Sequence, residues 1–290
     1  MKLKALIKLT RFEHGVMLSF AVLIGYAILG VDFLSLDPYV FISSLLVPLL
    51  IEVGAFSLND YLDYKSDMLN KRRDRPLVSG EIQRDIALYI FVFSFVLAVM
   101  ASFFLPKPAF YITIAFAFLS IAYDLSLKHL PLIGNIIIAL SMGIPFVFAN
   151  AIISNTLDEV ILVIFSMALF MGIAREIVKD IEDVKGDIEA ASSKTLPVLL
   201  GIKNSAIVAS MFLFAFMFVA IIPFIFYFEA SQLSLFFLLL SYLFVAYSTG
   251  IVVFQIKENS YKLQAARVKK YLLIAMVFGL VSLMLAANSL

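Results

Sequence analysis

The sequence predicts an all-α polytopic membrane protein, a single membrane-embedded domain over residues 1–290. Three observations carry this. The chain is 63% apolar and 15% charged, where an ordinary soluble domain has roughly 25% charged residues. Its apolar residues gather into runs of the length that a helix needs to cross about 30 Å of hydrocarbon. Its cations fall almost entirely into alternate loops. In lipid every backbone polar group must be satisfied internally, so the runs are helices.

Nine spans can be drawn, at 15–31, 39–58, 86–105, 109–123, 132–153, 160–174, 206–228, 233–254 and 271–287. The first follows Lys2, Lys4, Lys8 and Arg11, which read as an amphipathic interfacial segment leading into a retained helix, since no small-residue cleavage site follows. Pro48, Pro145 and Pro223 sit inside spans two, five and seven and should kink them. The fourth and sixth runs have only 15 residues each and should continue as helix beyond their apolar limits.

With these spans, 21 of the 22 Lys and Arg residues lie on one side and Lys107 alone lies opposite. The bias of cations toward the cytoplasm then puts the amino terminus and the loops after spans two, four, six and eight inside the cell. The net charge of +1 provides no field for nucleic acid. Cysteine is absent and there are two histidines, so thiolate chemistry is excluded and any metal is held mainly by oxygen, as Mg²⁺ is.

Two acidic motifs stand at the ends of spans two and six. Asn59-Asp60-x-x-Asp63-x-x-x-Asp67 and Asp180-x-x-Asp183-x-x-x-Asp187 share the pattern D-x-x-D-x-x-x-D, each aspartate lying 120 residues before its counterpart. The repeat marks two related halves. On a helix, offsets of zero, three and seven fall within about 60° of arc, one stripe roughly 10 Å long. Carboxylates crowded in this way are tolerated when divalent cations sit among them, and Mg²⁺ is characteristically shared between carboxylates and phosphate oxygens. The pattern points to a phosphorylated ligand and two Mg²⁺ ions.

The excess negative charge calls for cations, and Arg72, Arg73, Arg75, Lys128, Arg175, Lys179 and Lys185 stand in the same loops. Glu52, seven residues before Asn59, is an ionisable residue inside a span and so a candidate for a functional cavity. His14, at the mouth of span one, is a candidate ligand contact.

These residues resemble the UbiA superfamily of intramembrane prenyltransferases. The likeness rests on the first motif, Arg75-Pro-Leu-Val-Ser-Gly80, Tyr123 with Lys128, Arg175-Glu-Ile-Val-Lys179 running into the second motif, and Thr195-Leu-Pro197. It implies nine helices around a central cavity with cytoplasmic cap loops. It also implies Asn59, Asp63, Asp180 and Asp183 as leading metal ligands, with Asp60, Asp67 and Asp187 in support. Lys128, Tyr123 and Arg72 would contact the diphosphate of a polyprenyl donor. Arg11 leads to His14 where the family often has R-x-x-N.

The implied reaction is Mg²⁺-dependent transfer of a prenyl group, with Asp63, Asp183, Lys128 and Tyr123 at the chemistry and Arg11, His14, Glu52, Arg72, Arg75, Arg175 and Lys179 contacting substrate. The stretch around Arg175 most resembles archaeal members that make ether lipids from geranylgeranyl diphosphate and geranylgeranylglyceryl phosphate. An aromatic acceptor of the quinone type is the alternative. A transporter with duplicated halves is the reading from another class, but both motifs lie at span ends on one side, where they face a ligand mouth.

Overall fold

In a computed structural model, residues 3–32, 35–69, 71–190, 195–257 and 259–287 are described. Lys2 and Lys194 of the charge count lie outside the described residues. The helices are α1 (Leu3–Thr10), α2 (Phe12–Ile28), α3 (Pro38–Leu69), α4 (Arg84–Ser102), α5 (Lys107–Leu125), α6 (Ile133–Ile153), α7 (Glu159–Ala190), α8 (Leu196–Val219), α9 (Ile222–Phe226), α10 (Gln232–Phe254) and α11 (Tyr261–Ala287), with a 3₁₀ turn at Leu127–His129. Among the described residues there is no strand.

Among the described residues eight helices, α8 and α9 counted together, are long and apolar enough to cross a membrane, and the pair α1 and α2, bent by 56°, makes a ninth if taken as one span. Arg11 at the bend has φ 42°, a left-handed conformation that costs roughly 1–2 kcal/mol in a residue with a Cβ. The sixth apolar run does continue as helix, to Ala190, whereas the fourth gains only two residues at either end. The seventh run is broken. Its break lies between Val219 and Ile222, with Pro223 in the first turn of the separate α9, where its missing N–H is harmless, and Gly201 (φ 79°) interrupts α8 ahead of the run. Pro48 and Pro145 lie within α3 and α6 as continuous helices.

α3 and α7 repeat one another. Each has 32 residues, and they start 121 residues apart. Each begins beside an aspartate whose carboxylate accepts from the first turn. Asp37 Oδ1 lies 2.8 Å from the Tyr39 nitrogen, and Asp158 Oδ1 lies 2.9 Å from that of Val160, as N-cap residues do. At 1.5 Å per residue such a helix is about 48 Å long, so its last ten or so residues emerge from a hydrocarbon core of about 30 Å. Counted from the capped end, Asn59 and Asp180 both stand about 32 Å along, where the hydrocarbon stops. The length of the two helices is thus what carries the charged motifs clear of lipid.

The chain divides into two compact units, Met1–Leu23 with Asp32–Ser126 and Phe148–Thr156, and Ile24–Val31 with Leu127–Val147 and Leu157–Leu290. In the first, α3 packs on α1, α4 and α5. A Cβ on Gly54 would stand 2.5 Å from the Phe95 ring, so glycine is what lets α3 and α4 approach there. Leu9 and Ala5 of α1 join Leu77, Ile82 and Ala87 in a buried cluster, which pins the loop between α3 and α4.

In the second unit α7 packs on α8 and α11, and α10 on α8 and α11. A Cβ on Gly172 of α7 would lie 2.9 Å from the Ala139 Cα of α6. Serine hydroxyls join α10 and α11, with Ser234 and Ser282 each donating to the other's carbonyl at 2.9 and 2.8 Å and Ser241 donating to that of Ala275 at 2.8 Å. Such bonds tie helices together where lipid gives no hydrophobic contrast. Phe93, Phe118, Phe218 and Phe254 are exposed, a surface suited to lipid and not to water.

Candidate functional site

In the first unit the four motif residues, Asn59 and Asp60 side by side, occupy three successive turns of α3. Asp60, 2% exposed, accepts from Arg75 Nη1, and Arg11 Nη2 lies 3.8 Å from the same oxygen. Arg75 Nε also stands 3.8 Å from Asp67 Oδ2. One guanidinium therefore straps the first and last carboxylates of the stripe, and it can do so because Leu77 and Ile82 fix the loop behind it. Arg11 is held further by the Phe56 ring, 4.2 Å from its guanidinium carbon, a cation–π contact. His14 stands edge-on to the same ring at 5.3 Å and is exposed.

Asn59 and Asp63 are half-buried. The Asn59 side-chain amide donates to Asp124 Oδ1 at 2.7 Å. Asp124 belongs to the last turn of α5 and is itself buried. With its NH₂ group committed to Asp124, Asn59 has its carbonyl oxygen oriented as the remaining donor atom. Tyr123, the neighbour of Asp124, is half-buried, as is Glu52 within α3.

Arg72 forks onto both oxygens of Asp74 at 3.0 Å each. That pair is exposed outside the spans, and the hydrogen-bonded guanidinium pulls the Asp74 carboxyl down to about 2.

In the second unit the stripe is held differently. The Asn135 amide of α6 donates to Asp180 Oδ2 at 2.7 Å. Thr195 donates its hydroxyl to Asp187 Oδ2 at 2.9 Å. Thr195 stands at the N-cap of α8 but makes no capping bond, because its hydroxyl is used on Asp187. Asp183 is exposed. Both oxygens of Glu176 are occupied, one by Arg175 Nη1 at 2.9 Å and the other by Lys179 Nζ at 3.1 Å. Lys269 of α11 pairs with Glu182 at 2.6 Å. Lys128 is half-buried on the 3₁₀ turn, and its backbone lies so near Gly134 that a Cβ there would meet its carbonyl oxygen at 3.3 Å.

Each motif thus includes one residue fixed by an amide–carboxylate bond of 2.7 Å to a neighbouring helix. Among the described residues no three His, Asp or Glu converge on a ready-made ion cage. The all-oxygen donor set, with its oriented amide, fits an ion that takes one or two carboxylates and completes its shell from phosphate and water, as Mg²⁺ does.

Asp124 and Asn135 are absent from the sequence-based site, and Glu176 and Thr195 enter it only as parts of family stretches. Asp124 had a legible signal, a carboxylate at the end of an otherwise apolar span. Asn135 and Glu176 had little, since a partner on another helix or a shared counter-ion leaves no mark on local spacing.

Residues 18–277 match the UbiA prenyltransferase family. The chain is 33% identical to the digeranylgeranylglyceryl phosphate synthase of Methanococcoides burtonii over 298 aligned residues, covering 98% of this chain and 100% of that one. It is 35% identical to the synthase of the same name from Archaeoglobus fulgidus over 210 residues, 72% of this chain and 71% of its relative. Among solved structures, one concerning digeranylgeranylglyceryl phosphate synthase in membranes superposes with a TM-score of 0.80 at 25% identity, covering 99% of both chains. A UbiA homologue from Archaeoglobus fulgidus bound to DMAPP and Mg²⁺ shares the fold, with a TM-score of 0.65 at 18% identity over 94% of this chain and 99% of that one.

Proposed function

The chain belongs to the UbiA prenyltransferase family and is a membrane prenyltransferase, and from that membership we propose that it joins a geranylgeranyl group to geranylgeranylglyceryl phosphate. A carbon–oxygen bond forms between the free glycerol hydroxyl and the first prenyl carbon, diphosphate leaves, and the hydroxyl gives up its proton. The observation that carries the acceptor is the likeness to digeranylgeranylglyceryl phosphate synthases, which for one relative runs the length of both chains.

Asn59, Asp63, Asp180 and Asp183 are the proposed metal ligands, with Asp67 and Asp187 beside them. Bound Mg²⁺, two ions in this reading, offsets negative charge growing on the departing diphosphate. Asp60, engaged by Arg75 and Arg11, acts by holding those cations. Arg72, Arg75, Lys128 and Tyr123 bind phosphate oxygens, stabilising the leaving group as it acquires charge. His14 and Glu52 line the approach of the substrates. The apolar surroundings keep water from an allylic cation. The cation bias of the loops supports an amino terminus and active-site mouth on the cytoplasmic side.

The test is purified protein with Mg²⁺, geranylgeranyl diphosphate and a panel of glycerol-lipid and aromatic acceptors, read by product mass and diphosphate release. The expected product is the diether phosphate, with turnover abolished by EDTA and lowered by about 100-fold or more in Asp63→Ala and Asp183→Ala. Prenylation of aromatic acceptors alone overturns the acceptor. Normal diphosphate release in both variants overturns the site.

A further inference from the structure

Beside the second stripe, α7 carries a small cationic assembly. Glu176 is 5% exposed, and its two oxygens hold Arg175 and Lys179 at 2.9 and 3.1 Å. One carboxylate between two cations leaves a net charge of +1, and neither cation has its donors exhausted. Arg175 Nε is buried and has no hydrogen-bond partner among the described residues, a state that is costly for a charged donor. The Lys179 side chain is 48% exposed and has two further protons to give. Such a pair, one planar fork and one mobile ammonium, suits a phosphate monoester.

Its position separates it from the metal stripe. At 100° per residue, Asp180, Asp183 and Asp187 stay within about 40° of Glu176 around the helix, whereas Lys179 and Arg175 lie about 60° and 100° away on one flank. Glu176 is one turn, about 6 Å, from Asp180 on the side toward the span interior. An anion held here lies next to the metal-ligand stripe without occupying it.

We propose that Arg175 and Lys179, set in place by Glu176, bind the phosphate of the acceptor and not the diphosphate of the donor. The assignment rests on the acceptor reading given above. That acceptor carries its nucleophilic hydroxyl and its phosphate on adjacent glycerol carbons, so the phosphate must sit close beside the bond being made. Lys179 directly precedes Asp180 and Arg175 lies about 8 Å before it along the helix axis, so the pair meets this requirement. Glu176 is a positioning residue, since it prevents the long side chains from dispersing and lowers the charge to what one phosphate can neutralise.

The experiment is equilibrium binding of geranylgeranylglyceryl phosphate and of the corresponding dephosphorylated alcohol to full-length detergent-solubilised protein, without Mg²⁺ and without donor. Wild type should bind the phosphate tighter than the alcohol by about tenfold or more, the range of a charge-assisted contact. Arg175→Gln and Lys179→Gln should each remove most of that preference and leave alcohol binding and the KM for geranylgeranyl diphosphate within about twofold of wild type. Lys179 is half-exposed, and Glu176 keeps one cation in either variant, so the fold is not put at risk. An undiminished preference in both variants overturns the proposal alone, as does a loss that falls on the donor KM instead. A wild-type protein that shows no preference while prenylating aromatic acceptors overturns the acceptor reading and this inference with it.

Discussion

Asn59 and Asp124, 65 residues apart, meet in a hydrogen bond of 2.7 Å from amide to carboxylate, joining the first acidic motif on α3 to the final turn of α5. The bond decides which end of the Asn59 amide is turned outward. A nitrogen in that position repels a cation, and an oxygen accepts one.

Asp124→Ala should therefore act on metal use before it acts on fold. The Mg²⁺ concentration for half-maximal activity should rise by about 10- to 100-fold, as for other residues that orient a metal ligand. Asp124→Asn, which can still accept from Asn59, should recover part of the loss. A Mg²⁺ titration of each variant, with the donor KM measured alongside, checks this. An unchanged Mg²⁺ requirement in the alanine variant rejects the orienting role.

Asn135 performs the matching service for Asp180, with a different expected order of substitutions. Asn135→Ala removes a donor, whereas Asn135→Asp sets a second carboxylate against the first. Activity should fall further in the aspartate variant and be restored partly by raised Mg²⁺, which screens the added charge. Equal activities of the two variants at every Mg²⁺ concentration exclude this account.

Thr195 fixes Asp187 through its hydroxyl. Thr195→Val keeps the shape and deletes the bond, which should cost about 1 kcal/mol of stability and weaken Mg²⁺ binding by about tenfold. Thr195→Ser should behave as wild type in both thermal unfolding and Mg²⁺ titration.

In the proposed role of Arg72 as a diphosphate ligand, Asp74 is its competitor, since it holds the same guanidinium. Its carboxyl lies at about 2 in the folded protein, below its usual value, so the pair contributes fully above the unfolded pKa near 4 and is lost as pH falls through about 2. At neutral pH the fork stays closed onto Asp74. Asp74→Asn should loosen the hold on Arg72 and lower the KM for geranylgeranyl diphosphate by about two- to threefold with kcat unchanged. A raised KM means that Asp74 positions Arg72 and does not occupy it.

Two glycines separate hard from soft contacts. A Cβ on Gly172 meets the backbone and side chain of Ala139 at 2.8–2.9 Å, while the close contacts of one on Gly54 are with the Phe95 ring, the Phe91 carbonyl oxygen lying at an ordinary 3.4 Å. Gly172→Ala should destabilise by about 1–3 kcal/mol, and Gly54→Ala by less, since a ring can turn and a helix backbone cannot. Thermal unfolding in detergent orders the two.

The sequence by itself determined the membrane class, the placing of most spans and the two acidic motifs, because these are local properties. Hydropathy over a window fixes a span, and a helical repeat fixes which side chains share a stripe. It foresaw that span six continues as helix past 174 but not how far, because the 16 residues of α7 beyond that point include nine charged ones that hydropathy does not count toward a span. It left the left-handed backbone at Gly201 unread, because that residue lies ahead of the seventh apolar run. Tertiary structure alone decided the partners of the stripes. Asp60 is engaged by Arg75 and Arg11, Asn59 is turned by Asp124, and Asp180 is held by Asn135. Each pairing joins residues distant in the chain, and the geometry of an amide or a guanidinium is set by what stands opposite it in space.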